Sequence, residues 1–259
     1  MSAMKLTSPL VKPVNEKGEY IVYPTGATNI INPFLSAQAD NKDIKNRFNG
    51  TFYGIVKIPA VKGLEYRLNF SNDFISENYF NANRYDANLT GAIRKNNQKR
   101  LDRTVDNIIS YDNRFGHHGI SATFVTGYRS NEFESTNAQG ENIANISLSY
   151  NSLQQATIQR IYSNAWKETF LYQMGRLNYN YKNTYLVTGT LRRDGYSGFS
   201  KNNKFALFPS VGLAWVVSNN AFMSGSKIEH LKIRGSFGVN GNMTSRYSSL
   251  AQVLLSANP

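Results

Sequence analysis

The chain has no cysteine, which removes disulfides and thiolate metal sites from its repertoire. It also has no long apolar run. The longest, Val211 to Val217, falls far short of the ~20 residues of a membrane-spanning helix. A membrane protein with this sequence must therefore cross as a β-barrel. Met1 to Leu10 lacks the charged start and continuous apolar core of an export signal. Tryptophan is scarce, with two residues against sixteen Tyr and fifteen Phe. Tyr and Phe at that level, with nineteen Gly, favour strands and turns over helices.

Negative charge is in short supply. Lys and Arg number 29 against 17 Asp and Glu, a net charge of +12. Such a balance raises nucleic acid or an anionic surface as partners. The densest basic group is Arg84, Arg94, Lys95, Lys99, Arg100 and Arg103. It sits in an Asn-rich stretch without a stacking pattern or a nucleic-acid motif, so it reads as a solvated loop and nucleic acid is not an expected partner.

Hydrophobic alternation supplies the fold. Residues 1–47 hold Pro9, Pro13, Pro24 and Pro33 and read as an irregular loop region, with one short strand at Tyr20 to Tyr23. From Phe48 the period becomes 2. Leu64, Tyr66, Leu68 and Phe70 alternate with Glu65, Arg67, Asn69 and Ser71, the pattern of a strand with one apolar face. Later strands are expected at Val105 to Phe115, Ile120 to Tyr128, Phe170 to Tyr181, Tyr185 to Arg193, Phe205 to Val217 and Leu231 to Asn240. In the last, Leu231, Ile233, Phe237 and Val239 oppose Lys232, Arg234, Ser236 and Asn240.

About eight antiparallel strands result, each near the ~9–11 residues that cross an outer membrane. Short turns alternate with polar stretches over 75–103 and 129–165, which read as long loops. That asymmetry belongs to outer-membrane barrels. Tyr179, Tyr181 and Tyr185 flank the Lys182-Asn183 turn and Phe115 abuts Gly116, as an interfacial aromatic girdle requires. The expected fold is all-β, an antiparallel transmembrane β-barrel segment of meandering strands from a larger barrel. In isolation it would be an open curved sheet with aggregation-prone edges.

Several segments carry a family resemblance. Gly175-Arg176-Leu177-Asn178-Tyr179-Asn180-Tyr181-Lys182-Asn183-Thr184-Tyr185-Leu186 is similar to a hairpin of SusC/RagA-type TonB-linked outer-membrane proteins. Leu191-Arg192-Arg193-Asp194-Gly195, then Phe208-Pro209-Ser210-Val211-Gly212-Leu213-Ala214-Trp215, then Leu231 through Asn242 continue it in order and spacing. The resemblance covers 46–245 and is strongest over 170–242. Two positions depart from the pattern: Tyr196 stands where a small residue is usual, and Gly198 where a basic one is usual.

The resemblance implies a TonB-dependent importer of oligosaccharides or peptides in the outer membrane of a Gram-negative, Bacteroidetes-like bacterium. Energy would arrive from TonB through a plug domain, and a SusD-like surface lipoprotein would act as a lid. It implies no enzyme and no cofactor. The expected division is a loop region over 1–47, a TonB-dependent receptor-like barrel segment over 48–245 in contact with outer-membrane lipid, and a loop-like end over 246–259. The chain is expected to lack the plug and to be truncated at both ends. Arg176, Arg192 and Asp194 would face a polar interior. Pro209 removes a donor within a strand, so a bulge or break is expected there. A small self-contained barrel serving as an adhesin is one alternative, and a soluble β-rich carbohydrate-binding protein is another.

No catalytic, cofactor, metal or substrate-binding residue is assigned. His117 and His118 are neighbours in a turn and point apart, without a third ligand. Asp102 with Asp106, and Glu132 with Glu134, are spaced as carboxylate pairs. They read as solvated loop charge. Tyr79, Phe80, Tyr85 and Phe133 are aromatics of the polar stretches, able to stack on sugars and more often packed within a loop.

Overall fold

The computed structural model describes residues 11–27, 31–86, 89–200, 203–242 and 246. Apart from Arg246, the expected end segment 246–259 lies outside the described residues. Eight strands follow one another: β1 (Asp40–Lys57), β2 (Leu64–Asn83), β3 (Ala92–Phe115), β4 (His118–Ile143), β5 (Ala156–Tyr181), β6 (Tyr185–Tyr196), β7 (Phe205–Val216) and β8 (Lys232–Gly238). They form one open sheet in the order β1-β2-β3-β4-β5-β6-β7-β8. Each strand lies beside its sequence neighbour, the meander that alternation and short turns predict.

Strand length differs from expectation. β1 to β5 run for 18, 20, 24, 26 and 26 residues, well beyond the ~9–11 that cross a membrane. The stretches read as long loops, 75–103 and 129–165, are mostly strand. Backbone pairing satisfies N–H and C=O groups whatever the side chains are, so a strand with polar residues on both faces leaves no alternation to detect. The asymmetry of the connections is correspondingly weaker. The β3–β4 and β5–β6 turns are short, but residues 217–231 between β7 and β8 carry two 3-10 turns, Val217–Asn219 and Ala221–Met223. Near the start, Tyr20 makes an isolated bridge with Val14 instead of a strand, and Pro33–Ser36 forms one helical turn capped by Asn32.

Two turns show why their residues are needed. Lys182 and Asn183 have φ of 52° and 54°, the left-handed pair that matches a tight hairpin to strand twist. The Thr184 N–H closes it on the Tyr181 carbonyl at 2.9 Å. Gly63 has φ 88°, and a Cβ there would lie 1.9 Å from the Asp112 carbonyl oxygen. No side chain fits that approach.

Pro209 produces no bulge. β6 and β7 pair without interruption, Leu191 opposite Pro209 and Arg192 opposite Phe208. The reason lies in which neighbour the missing N–H would face. The Val216 N–H bonds to Thr184, toward β6, so even-numbered residues of β7 pair there and odd-numbered ones face β8. Pro209 therefore faces position 239, one residue past the end of β8. Its carbonyl still accepts from the Val239 N–H at 3.0 Å, and one ladder bond is forgone at a strand end.

The chain divides into two compact units. The first comprises Met1–Arg47, Ile75–Arg100 and Phe133–Trp166; the second comprises Phe48–Phe74, Leu101–Glu132 and Lys167–Pro259. The first unit has a small core of Ala82, Ile93, Ile143 and Ala156, joined by Ile146, Tyr150 and Leu153. The Asn32 amide, 1% exposed, donates to the carbonyls of Pro13 at 2.8 Å and Ile21 at 2.9 Å, tying down that segment.

In the second unit the register sorts side chains by face. Tyr181 pairs with Tyr185, Leu177 with Gly189 and Gly175 with Leu191. Gly189 pairs in turn with Val211, and Tyr185 with Trp215. Leu213 pairs with Gly235, and Trp215 with Ile233. This face is apolar and uncovered: Leu191, Leu213, Ile233 and Phe237 are 54%, 59%, 57% and 76% exposed. The opposite face carries Arg176, Asn178, Thr188, Thr190, Arg192, Asp194, Ser210 and Arg234. Cross-strand pairs hold it together, such as Thr188 to Asn178 at 2.9 Å and Arg176 to Thr190 at 3.2 Å.

Candidate functional site

A concavity on the polar face is built by β4 to β7 within the second unit. Phe170 and Tyr172 occupy the same phase of β5 as Arg176 and Asn178, so two aromatic rings stand among polar neighbours. Phe170 is paired in register with Tyr196 of β6, and their rings stack at 4.7 Å with an 11° interplanar angle. Phe199 meets the Tyr196 ring edge-on at 5.3 Å. These groups, with Arg129, Arg192, Asp194, Phe208, Gly241 and Asn242, enclose a cavity of about 230 Å³.

Glycines make room for the rings. A Cβ on Gly127 would lie 2.3 Å from the Tyr172 ring, one on Gly198 2.4 Å from Tyr196, and one on Gly241 2.4 Å from Phe208. The two departures from the family pattern are thus one packing event. Tyr196, 5% exposed, fills the space that any side chain at 198 would enter.

Among the described residues, the charged groups around the cavity are held by partners. Asp102 grips Arg129 through Nε at 2.9 Å and 3.2 Å and through a terminal amino group. Arg192 Nε donates to both Asp194 oxygens at 2.7 and 2.8 Å, and its guanidinium lies 5.0 Å from the Tyr172 ring. The Tyr172 hydroxyl donates to Asp106. Glu168 accepts from Tyr196 at 2.9 Å and from Arg246 at 3.2 Å. Lys204 bonds the carbonyls of Ser197 and Phe199.

Known proteins share this sheet. No protein-family profile matches the chain. TonB-dependent receptor P3 of Formosa agariphila is 30% identical over 248 residues, 92% of this chain and 24% of the relative. TonB-dependent receptor SusC of Bacteroides thetaiotaomicron is 40% identical over 78 residues, 30% of this chain and 8% of the relative. Among solved structures, the RagAB peptide transporter superposes with a TM-score of 0.75 at 20% identity, over 87% of this chain and 26% of that one. In sequence and fold this chain is similar to a segment of the barrel of SusC/RagA-type TonB-dependent receptors. It spans about a quarter of the length of P3. The TM-score for the closed-closed state of the RagAB peptide importer is 0.77, at 19% identity.

On this SusC/RagA-type sheet, Arg192 and Asp194 stand on the polar face beside the cavity. Arg176 shares that face. Arg193 lies on the apolar face, its guanidinium 3.9 Å from the Phe205 ring. Asp102 and Asp106 lie on β3 rather than in a loop, and each has a partner of its own. Glu132 is also on a strand, bridging Arg103 at 3.4 Å and Lys167 at 2.8 Å, while Glu134 is exposed. The basic group is largely on β3: Arg94 pairs with Asp86 at 2.6 Å, and Lys95 bonds Asn151 at 2.8 Å.

The His118 ring nitrogen shares a 2.7 Å hydrogen bond with the Tyr179 hydroxyl. Among the described residues no group of three potential ligands gathers around either histidine. Phe80 stacks on Tyr150 at 5.2 Å and Phe133 on Trp166 at 5.3 Å. Sequence reasoning missed Arg129, Glu168, Phe170, Tyr172, Phe199 and Phe208. The available signal was Phe170 and Tyr172 in the polar phase of a strand.

Proposed function

We propose that the chain forms part of the wall of an outer-membrane barrel that imports nutrients, with its apolar face in lipid and its polar face lining the lumen. The barrel stretch is 48–245. The cargo is an oligosaccharide or a peptide, drawn in by TonB acting through a plug domain, with a SusD-like surface lipoprotein as lid. The cell is a Gram-negative bacterium of Bacteroidetes type, and the protein moves its cargo without transforming it. The name RagAB peptide transporter, borne by a structure of the same fold, and the name SusC, borne by a relative, support this reading.

One observation carries the proposal. On β5 to β8, large aliphatic and aromatic side chains line one face and remain exposed, while charged and amide groups line the other. In water, such a contiguous apolar surface is a liability; in a bilayer it is what a barrel wall needs. The test is fractionation and uptake with the full-length protein. It is expected in the outer membrane, with loss of uptake of its cargo on gene deletion and on removal of the TonB system. Recovery as a soluble protein, or uptake indifferent to TonB, overturns the reading.

A further inference from the structure

The cavity on the polar face has a chemical character of its own. We propose that it is a saccharide subsite that takes one uncharged pyranose ring, an inference that rests on the importer reading and goes beyond it. Three observations converge. First, about 230 Å³ lies below the ~300–1,000 Å³ of sites for drug-sized ligands, so there is room for one ring. Second, Phe170, Tyr196, Phe199 and Phe208 supply aromatic surface, and a sugar's C–H faces pack on aromatic rings through dispersion and weak hydrogen bonding.

Third, although the chain carries +12, the cavity offers no unmatched charge among the described residues. Arg129 is taken by Asp102, Arg192 by Asp194 and Arg246 by Glu168. Each of these cations is already balanced by a carboxylate beside it, so a sulfated or carboxylated sugar gains little net attraction here. It would also lie beside those carboxylates, with like-charge repulsion and a cost in desolvation. A sugar hydroxyl donates and accepts at once. The side-by-side Arg192–Asp194 pair, with the Asn242 amide, presents both kinds of partner without giving up its own contact.

The specificity determinant is Tyr196 together with Gly198. The ring closes one side of the cavity, and it can do so because position 198 has no side chain. A basic residue at 198 would displace the ring and bring a positive charge toward the cavity.

The experiment uses the full-length receptor purified in detergent and titrated calorimetrically. The probes are maltohexaose, laminarihexaose and mannohexaose, a sulfated counterpart of laminarihexaose, and a tryptic casein digest. Binding of a neutral hexasaccharide is expected, with the sulfated probe at least tenfold weaker. Phe199→Ala is expected to weaken the neutral sugar about tenfold while heat-modifiable migration shows an intact barrel. Tyr196→Phe, which keeps the ring, should bind within about twofold of wild type.

Preference for the sulfated probe overturns the neutral-ring assignment. Peptide binding that Phe199→Ala weakens overturns the saccharide class and leaves the importer standing. Sugar binding unaffected by Phe199→Ala, or no binding by any probe from a receptor that still supports TonB-dependent uptake, overturns the subsite alone. Loss of TonB-dependent uptake from the wild type strikes the importer reading itself.

Discussion

The two units of this chain bury apolar surface in opposite ways. The first turns Ala82, Ile93, Ile143 and Ala156 inward on one another, with Ile93 fully buried, as a protein in water does. The second turns Leu191, Leu213, Ile233 and Phe237 outward and keeps ions and aromatic rings on the facing side of the sheet. The same antiparallel pairing serves both. The difference teaches that strand pairing is indifferent to solvent, while the distribution of side chains between faces is not.

Five substitutions in the full-length protein test that contrast. Ile93→Ala should cost the first unit about 2–5 kcal/mol, the usual range for truncating a fully buried aliphatic. Hydrogen exchange should then rise around residues 80–95 and 140–156 while β6 and β7 stay protected. An unchanged pattern would show that the cluster is not a core. Ile233→Arg should cost about 2–4 kcal/mol if its face meets the bilayer centre, reducing assembled barrel in the outer membrane. Ser236→Arg, on the opposite face of the same strand, should assemble normally. Equal assembly of both variants would break the assignment of faces.

Gly127→Ala should cost about 1–3 kcal/mol through overpacking, because the added methyl meets the Tyr172 ring. Denaturant midpoints of the refolded barrel would read this, and a midpoint equal to wild type would show that the ring yields freely. Leu207→Ala should be the mildest, under about 1 kcal/mol, if its face lies in the bilayer, where lipid chains fill the space that an outward-facing side chain vacates. A loss as large as that of Ile93→Ala would mean that Leu207 is packed against protein.

Much of the second unit was legible in the sequence. Leu177, Tyr179 and Tyr181 alternate with Arg176, Asn178 and Asn180 as the register has them, because each of these strands sorts apolar and polar residues onto opposite faces. The extent of β2 to β5 was not legible. Around residues 75–83, 92–103, 129–143 and 156–169 both faces are mixed, so a period-2 test finds nothing. The site was half legible. Arg192 and Asp194 sit in a recognisable motif, but their cavity depends on Arg129, Glu168 and Phe170 arriving from neighbouring strands. Sequence alone does not supply that register. The Pro209 expectation failed for a related reason: whether a missing N–H matters depends on where β8 ends.

The interlock of Tyr196 with Gly198 also constrains how this receptor can change over time. A lineage that began with a small residue at 196 and a basic one at 198 had to lose the side chain at 198 before the large ring could settle. The reverse route is closed until the ring goes first. The two sites should therefore behave epistatically: a side chain gained at 198 is unfit while the Tyr196 ring is in place and tolerated once the ring is gone.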